Sequence, residues 1–163
     1  MKTIHPGGRL LIAIIAALAT AIGVVASVSA SSPQGVTIAS HVTFNPDGPN
    51  YGDFSATGSA VTSGTLCASG TFVDTGLRFG GFQGRHGLVQ IQVVKQFTCA
   101  DSSGTFVVKL QIQANLDTGI ESFTWVVMGG TGQYASLNGS GQGSTVPNPP
   151  IGNINTYFGF VVD

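Results

Sequence analysis

Apolar and polar residues alternate with a period of two along most of the chain after residue 30. The clearest case is the segment 106–114, where five apolar residues are separated by polar ones, apart from Val107. The segment 89–97 repeats the pattern, with glutamines between its apolar residues. A period of two directs alternate side chains to opposite faces of a strand, so both segments are predicted to be half-buried β-strands.

Turn signals separate further apolar segments of similar length, which brings the number of predicted strands to about eight. Asn45–Asn50 is a dense turn signal, and 100–104 is a predicted hairpin loop. The last strand is predicted at 154–162, and its even-numbered residues are predicted to form its apolar face. No segment has a convincing helical period. Many short sequential strands leave a barrel or a sandwich, and glycines inside strands favour the barrel. We therefore predict an all-β fold, an eight-stranded antiparallel up-and-down β-barrel.

The first 30 residues have the three parts of a secretory signal peptide, which is expected to be helical. Lys2 and Arg9 form a basic start, 10–26 is almost wholly apolar, and small residues precede a cleavage site at Ala30. We expect residues 1–30 to be removed and residues 31–163 to form a single secreted, extracellular domain. An uncleaved N-terminal anchor is the alternative. No later apolar run approaches the roughly 20 residues that span a bilayer, so no membrane partner is expected after cleavage.

The two cysteines, Cys67 and Cys99, are expected to form a disulfide. An exported chain with two cysteines has one obvious pairing. A catalytic thiol is the alternative, but neither cysteine has a neighbouring His or cation in sequence that would lower its pKa. Cys and His residues are scattered without metal-ligand spacing, so no metal site is predicted.

The net charge of residues 31–163 argues against nucleic-acid binding. Residues 31–163 carry four Lys or Arg and seven Asp or Glu, and four minus seven gives a net charge of −3. Such a chain lacks the basic surface that nucleic-acid binding requires. No motif for an organic cofactor is supported either, so no cofactor is expected.

The glycine-rich run Gly129–Gly143 offers two interpretations. Gly130–Ala135 matches the dinucleotide fingerprint G-x-G-x-x-A after a predicted strand. That fingerprint needs a following helix and an acidic residue about 20 positions later, whereas further glycines and the prolines of 147–150 follow here. We therefore expect no nucleotide partner. The alternative is a strand–turn–strand hairpin, with the turn at 129–132 and the return strand at 134–143.

The same run carries a resemblance to a known family. Met128-Gly-Gly-Thr-Gly-Gln-Tyr-Ala-Ser-Leu-Asn-Gly-Ser-Gly resembles the G-G-T-G-x-[YF]-x-x-x-x-G-x-G hairpin of the allene oxide cyclase-like and dirigent-like barrels. The match covers roughly 15 residues, and the chain as a whole resembles small secreted bacterial proteins with this barrel. The resemblance implies an eight-stranded calycin-like barrel with an apolar cavity and assembly as a homo-oligomer. It transfers no catalytic residue, because the matching segment contains none.

Two charges lie on apolar faces of predicted strands. Lys95 is in phase with the apolar residues of 89–97, and Glu121 is in phase with Phe123 and Trp125. A buried charge is costly unless it is paired, so one hypothesis is that Lys95 and Glu121 meet inside the barrel. Glu121 would then be a candidate general acid or base, because an apolar pocket raises the pKa of a carboxyl group. The alternative is that each side chain lies near a strand end and reaches solvent.

Aromatic residues provide the candidate ligand contacts. Phe123 and Trp125 lie on the strand that enters the glycine hairpin, and Tyr134 lies within it. The glycine-rich segment 79–87 is expected to be a solvated loop, with a binding lip as the alternative.

Three functions are compatible with this sequence. The first is a non-enzymatic secreted barrel that binds a small hydrophobic ligand or serves an extracellular interaction. The second is a cyclase or isomerase acting on a hydrophobic substrate in the cavity. The third is a structural or adhesive surface module. A cavity lined by apolar residues favours the first, a cavity holding Glu121 with a polar partner favours the second, and a completely filled barrel favours the third.

Native mass spectrometry of the secreted protein tests the processing predictions. We expect a chain that begins at Ser31 and weighs two hydrogens less than its sequence mass, because Cys67 and Cys99 are oxidised. The same spectrum reports the number of subunits and any retained lipid. A secreted chain that keeps residues 1–30, or that has two free thiols, would contradict the corresponding prediction.

Overall fold

The structure is a computed structural model that describes residues 31–83, 87–118 and 120–163. The predicted signal peptide and its cleavage site at Ala30 lie outside the described residues. Within these ranges, no helix is both long enough and apolar enough to cross a membrane.

Eight strands form a closed antiparallel barrel in which each strand pairs with the next and β8 pairs with β1. The predicted barrel is therefore confirmed. One short helix, α1 (Ser59–Thr62), lies between the second and third strands. The strands are β1 Gln34–Thr43, β2 Tyr51–Thr57, β3 Ser69–Gln83, β4 Leu88–Cys99, β5 Gly104–Asn115, β6 Ile120–Gly132, β7 Asn138–Pro147 and β8 Asn153–Val162.

The two ends of the barrel differ. One end, called the closed end here, carries α1 and the loops 100–103 and 133–137. Ala60, Leu66 and Leu137 are fully or almost fully buried there. The opposite end, called the mouth, carries the loops 44–50 and 148–152. Apolar side chains therefore seal the barrel at one end.

The Cys67–Cys99 disulfide joins the segment after α1 to the last residue of β4. It confirms the predicted pairing. Both cysteines are buried in the hydrophobic core. A cross-link across 32 residues of separation stabilises a fold by about 3–4 kcal/mol, mainly because it restricts the unfolded chain. It ties the segment that covers the closed end to the barrel wall.

Aromatic rings fill the closed half of the barrel. The Phe97 ring stacks on Phe106 with centroids 4.8 Å apart and meets the edge of Phe54 at 5.1 Å. Phe72 and Tyr157 also contact Phe97. Aromatic pairs at such separations contribute about 0.5–1.5 kcal/mol each beyond the area they bury. Phe97 is therefore the centre of the core.

The glycine-rich run forms a strand–turn–strand hairpin, but its turn is not at the predicted position. β6 continues through Gly132, and the turn falls at 133–137. The reason is a bulge, because β5 and β6 change register between Val107 and Val108. Gly129 and Gly132 have φ of 110° and 61°, which glycine adopts at no steric cost. These glycines let the strand continue beyond the bulge.

The glycines of β7 make room for the large rings of β6. Gly141 and Gly143 pair with Trp125 and Phe123 across the β6–β7 ladder. A Cβ on Gly141 would lie 2.8 Å from the Trp125 ring, and a Cβ on Gly143 would collide with the Phe123 ring. Each ring therefore lies over backbone that carries no side chain.

The predicted facing of the last strand is wrong. Asn155, Tyr157 and Val161 are buried, whereas Phe158 and Phe160 are 48% and 61% exposed. The phenylalanines point outward because Trp125 already fills the interior beside β8. A Cβ added to the glycine between them would lie 2.6 Å from the Trp125 ring. The expected loop at 79–87 is also wrong in its first part, because β3 extends to Gln83.

Replacing Gly143 by alanine tests the fit between β6 and β7. The new Cβ would collide with the Phe123 ring and with the Thr156 carbonyl oxygen, so the Gly143→Ala variant should lose about 1–3 kcal/mol of stability or more. Urea denaturation measures the loss.

Gly81→Ala is the matched control, because a Cβ at Gly81 has nothing within 4 Å. This variant should keep its stability or gain up to about 1 kcal/mol. Equal stability of the two variants would contradict the proposed steric role of Gly143.

Candidate functional site

A cavity at the mouth arises from a mismatch in strand length. β2 pairs with β3 only as far as the Tyr51–Val73 pair, whereas β3 continues to Gln83 with β4 as its partner. The inward-facing side chains of Leu77 and Phe79 therefore have no β2 neighbour, and they are 54% and 71% exposed. They border a cavity of about 240 Å³, which we call the mouth cavity.

The mouth cavity has an apolar side and a polar side. Such a lining is typical of sites for small molecules, in which a few polar groups orient a mainly apolar ligand. The apolar lining residues are Val42, Phe44, Leu77, Phe79, Ile91, Val93 and Ile112, and the polar ones are Asn50, Asp74, Lys95, Glu121, Asn153 and Asn155.

A buried ion pair lies in the polar lining. Lys95 Nζ donates to Asp74 Oδ1 at 2.6 Å, and the two side chains are 3% and 10% exposed. Asp74 Oδ2 accepts a hydrogen bond from Asn50 Nδ2 at 3.2 Å, and the Asn50 carbonyl accepts from the Asp74 backbone N–H. Lys95 Nζ also lies 4.4 Å from the centre of the Phe72 ring. The amide and the ring therefore help to hold the pair in place.

Burial lowers the pKa of Lys95 from its ordinary value, and the Asp74 carboxylate opposes this shift through charge and hydrogen bonding. Removing an ammonium group from water disfavours its charged form, whereas a neighbouring carboxylate favours it. Asp74 therefore favours the charged form of Lys95 against the effect of burial.

The structure changes the expected partner of Lys95. Lys95 and Glu121 both line the mouth cavity, but the ion pair forms with Asp74. The expectation that Lys95 reaches solvent is wrong, because Lys95 is 2% exposed, whereas Glu121 is partly exposed. Asp74 could have been found from the sequence, since it follows Phe72 by two residues on the same face of β3. A catalytic role of either Lys95 or Glu121 stays a prediction.

Several buried polar atoms near the pair have no hydrogen-bond partner within the described residues. They are Ser40 Oγ, Asn153 Oδ1 and Tyr157 OH. Tyr157 OH faces Asn155 and Ser40 without a hydrogen bond of normal geometry, and burial raises the pKa of Tyr157 well above its usual value. Asn155 instead accepts a hydrogen bond from Thr145 at 3.0 Å. Buried polar groups are normally satisfied, so these atoms have the capacity to bond a water molecule or a ligand.

The three predicted aromatic contacts lie in the packed core and do not line the mouth cavity. Trp125 donates from Nε1 to the Gln142 carbonyl at 3.2 Å, and Tyr134 OH bonds Ser103 Oγ at 2.7 Å. Phe123 packs against Tyr157 with centroids 4.9 Å apart. Their role as ligand contacts stays a prediction. Sequence reasoning missed Leu77 and Phe79, which border the cavity. Of the two, Phe79 lies in the segment 79–87, for which a loop is predicted.

Larger grooves of about 540, 710 and 420 Å³ lie on the outer surface of the barrel. Their linings consist mainly of Gln, Ser, Thr, Gly and Phe, and the ionisable residue among them, Asp53, is exposed and pairs with His41. The mouth cavity combines charged groups with exposed apolar side chains, so it is the better candidate site. Within the described ranges, no group of three or more His, Cys, Asp or Glu residues is arranged to hold a metal ion.

Comparison with protein-family models, with curated proteins and with solved structures found no match to this chain. The function is therefore inferred from the geometry of the mouth cavity.

Removing one partner of the buried pair should destabilise the fold. Lys95→Met leaves the Asp74 carboxylate buried with Asn50 as its remaining side-chain partner, which should cost about 3–5 kcal/mol in urea denaturation. The double variant Lys95→Met/Asp74→Asn removes both charges and keeps an oxygen for Asn50. It should recover most of that loss, because no unpaired charge is left buried.

Lys109→Met is the control, because Lys109 points outward from β5, in the phase opposite to buried Val108 and Leu110. The free energy of unfolding of the Lys109→Met variant should change by no more than about 0.5 kcal/mol. If Lys95→Met and Lys109→Met lower the free energy of unfolding by the same small amount, Lys95 and Asp74 do not stabilise each other.

Proposed function

We propose that the protein is a secreted β-barrel that binds a small, mainly apolar ligand in the mouth cavity without converting it. The observation that carries this proposal is the exposure of Leu77 and Phe79. Both side chains face a cavity and are more than half exposed. A ligand that covered them would remove apolar surface from water, which is worth about 25 cal/mol per Å².

The rigidity of the site also supports binding. Asp74 and Lys95 are held by each other, by Asn50 and by the Phe72 ring. The rings packed around Phe97 fill the barrel beneath the cavity. A preformed site loses little conformational entropy when its ligand binds. The barrel is neither an empty tube nor completely filled, so a ligand would occupy only the mouth.

The compartment of this proposal comes from two features. The first 30 residues have the pattern of a signal peptide, and the Cys67–Cys99 disulfide suits an oxidising environment. We also propose that the protein belongs to the allene oxide cyclase-like barrels. The resemblance to them implies an eight-stranded barrel with an apolar cavity, and the barrel described here has a partly apolar cavity. Assembly as a homo-oligomer belongs to the same proposal.

An isomerase or cyclase is the second candidate function. The observation that favours it is the presence of Glu121 in the same cavity as Lys95 and Asp74. A carboxylate and an amine that face one ligand could move a proton between two of its atoms. Binding and turnover are distinguished by whether the ligand is recovered unchanged.

A rim substitution tests the binding site. The uncharged fluorescent probe N-phenyl-1-naphthylamine should bind the original chain, and Phe79→Ser should weaken its binding about tenfold. That factor corresponds to about 1.4 kcal/mol, which is within the range for loss of one apolar contact. Fluorescence titration measures both affinities.

Phe160→Ser is the matched control. Phe160 is 61% exposed but lines an outer groove rather than the mouth cavity, so its replacement should leave probe affinity unchanged. Absence of probe binding to the original chain, or equal loss in the two variants, would refute the mouth cavity as the site. Chemical change in recovered ligands would favour the isomerase instead.

A further inference from the structure

We infer that the ligand of the mouth cavity is an uncharged amphiphile whose polar head both accepts and donates hydrogen bonds, as a primary amide does. This inference rests on the proposed function and identifies the chemical class of the ligand. It follows from three features of the polar lining: unused donors on Lys95, an unpartnered acceptor on Asn153 and the local balance of charge.

Lys95 supplies the donor for the ligand. An ammonium group carries three N–H donors, and among the described residues Lys95 Nζ has one hydrogen bond, to Asp74. Lys95 lines the cavity and is 2% exposed, so bulk water satisfies little of its remaining capacity. An oxygen acceptor on the ligand would complete the coordination of Nζ.

Asn153 supplies the acceptor. Its Oδ1 is buried and has no partner within the described part of the chain, although the residue lines the same cavity. A buried acceptor without a hydrogen bond lowers stability. A ligand N–H or O–H that reached Asn153 would remove this cost. The head group therefore needs a donor as well as an acceptor.

The balance of charge excludes an anionic head. Among the described residues, the ionisable groups that line the cavity are Lys95, Asp74 and Glu121. Lys95 and Asp74 neutralise each other, which leaves the negative charge of Glu121 when it is ionised. A carboxylate ligand would be repelled by Glu121 and would compete with Asp74 for Lys95. A neutral head meets neither obstacle.

Matched probes with similar alkyl chains test this inference by isothermal titration calorimetry on the full secreted protein. Octanamide has a donor and an acceptor, 2-nonanone and N,N-dimethyloctanamide have the acceptor alone, and octanoate is anionic. At pH 7.5 we expect octanamide to bind about fivefold more tightly than either probe without a donor, the value of one net hydrogen bond. Octanoate should bind at least about tenfold more weakly than octanamide.

Asn153→Leu removes the acceptor while keeping a side chain of similar size. In this variant the advantage of octanamide over 2-nonanone should disappear, and 2-nonanone should bind as before. Asn148→Leu is the control, because Asn148 is exposed in the 148–152 loop and does not line the cavity. The probe series on the original chain keeps the test valid if Asn153→Leu does not fold.

The outcomes separate this inference from the proposed function. If none of the probes binds, the proposed function fails. If octanoate binds as tightly as octanamide, the neutral head is wrong while ligand binding stands. If both probes without a donor match octanamide, the role of Asn153 is wrong. Octanamide preference that is lost in Asn153→Leu and kept in Asn148→Leu supports the inference.

Discussion

The barrel depends on the fit between the large rings of β6 and the backbone that faces them. Trp125 and Phe123 point into the barrel over Gly141 and Gly143, positions where a Cβ would collide with the rings. Protein interiors are packed at crystal-like density and tolerate little extra volume. Because Trp125 also extends beside β8, glycine at position 159 is required by the same fit, and Phe158 and Phe160 must face outward. The glycine-rich run is therefore a packing feature of the sheet.

The same packing determines where a ligand can bind. Rings around Phe97 fill the closed half, and the Cys67–Cys99 disulfide ties down the segment that covers it. Among the residues that the structure describes, no comparable set of rings fills the opposite end, where β3 extends beyond β2 and leaves Leu77 and Phe79 uncovered. Sealing one end and opening the other gives the barrel one interior face on which apolar surface still meets water. The mouth cavity is a consequence of unequal strand lengths.

The buried pair of Lys95 and Asp74 is difficult to explain by stability alone. Burying two charges costs solvation energy that their attraction often fails to recover, and apolar replacements of such pairs are frequently neutral or stabilising. The pair lies in the lining of the mouth cavity, which Asn153, with its unpartnered Oδ1, also borders. The proposed ligand site would account for this cost, because polar groups held in an apolar wall orient a ligand.

The sequence by itself determined the class of fold, because a period of two and frequent turn signals are local properties of the chain. It also determined the pairing of Cys67 with Cys99, since no other cysteine exists. It singled out Lys95 and Glu121 as charges on inward faces, but it did not identify Asp74 as the partner of Lys95. Tertiary structure decided that partner, the outward facing of the β8 phenylalanines and the position of the cavity. These features depend on strand register, on bulges and on which neighbour fills the interior, and such contacts join residues that are far apart in the sequence.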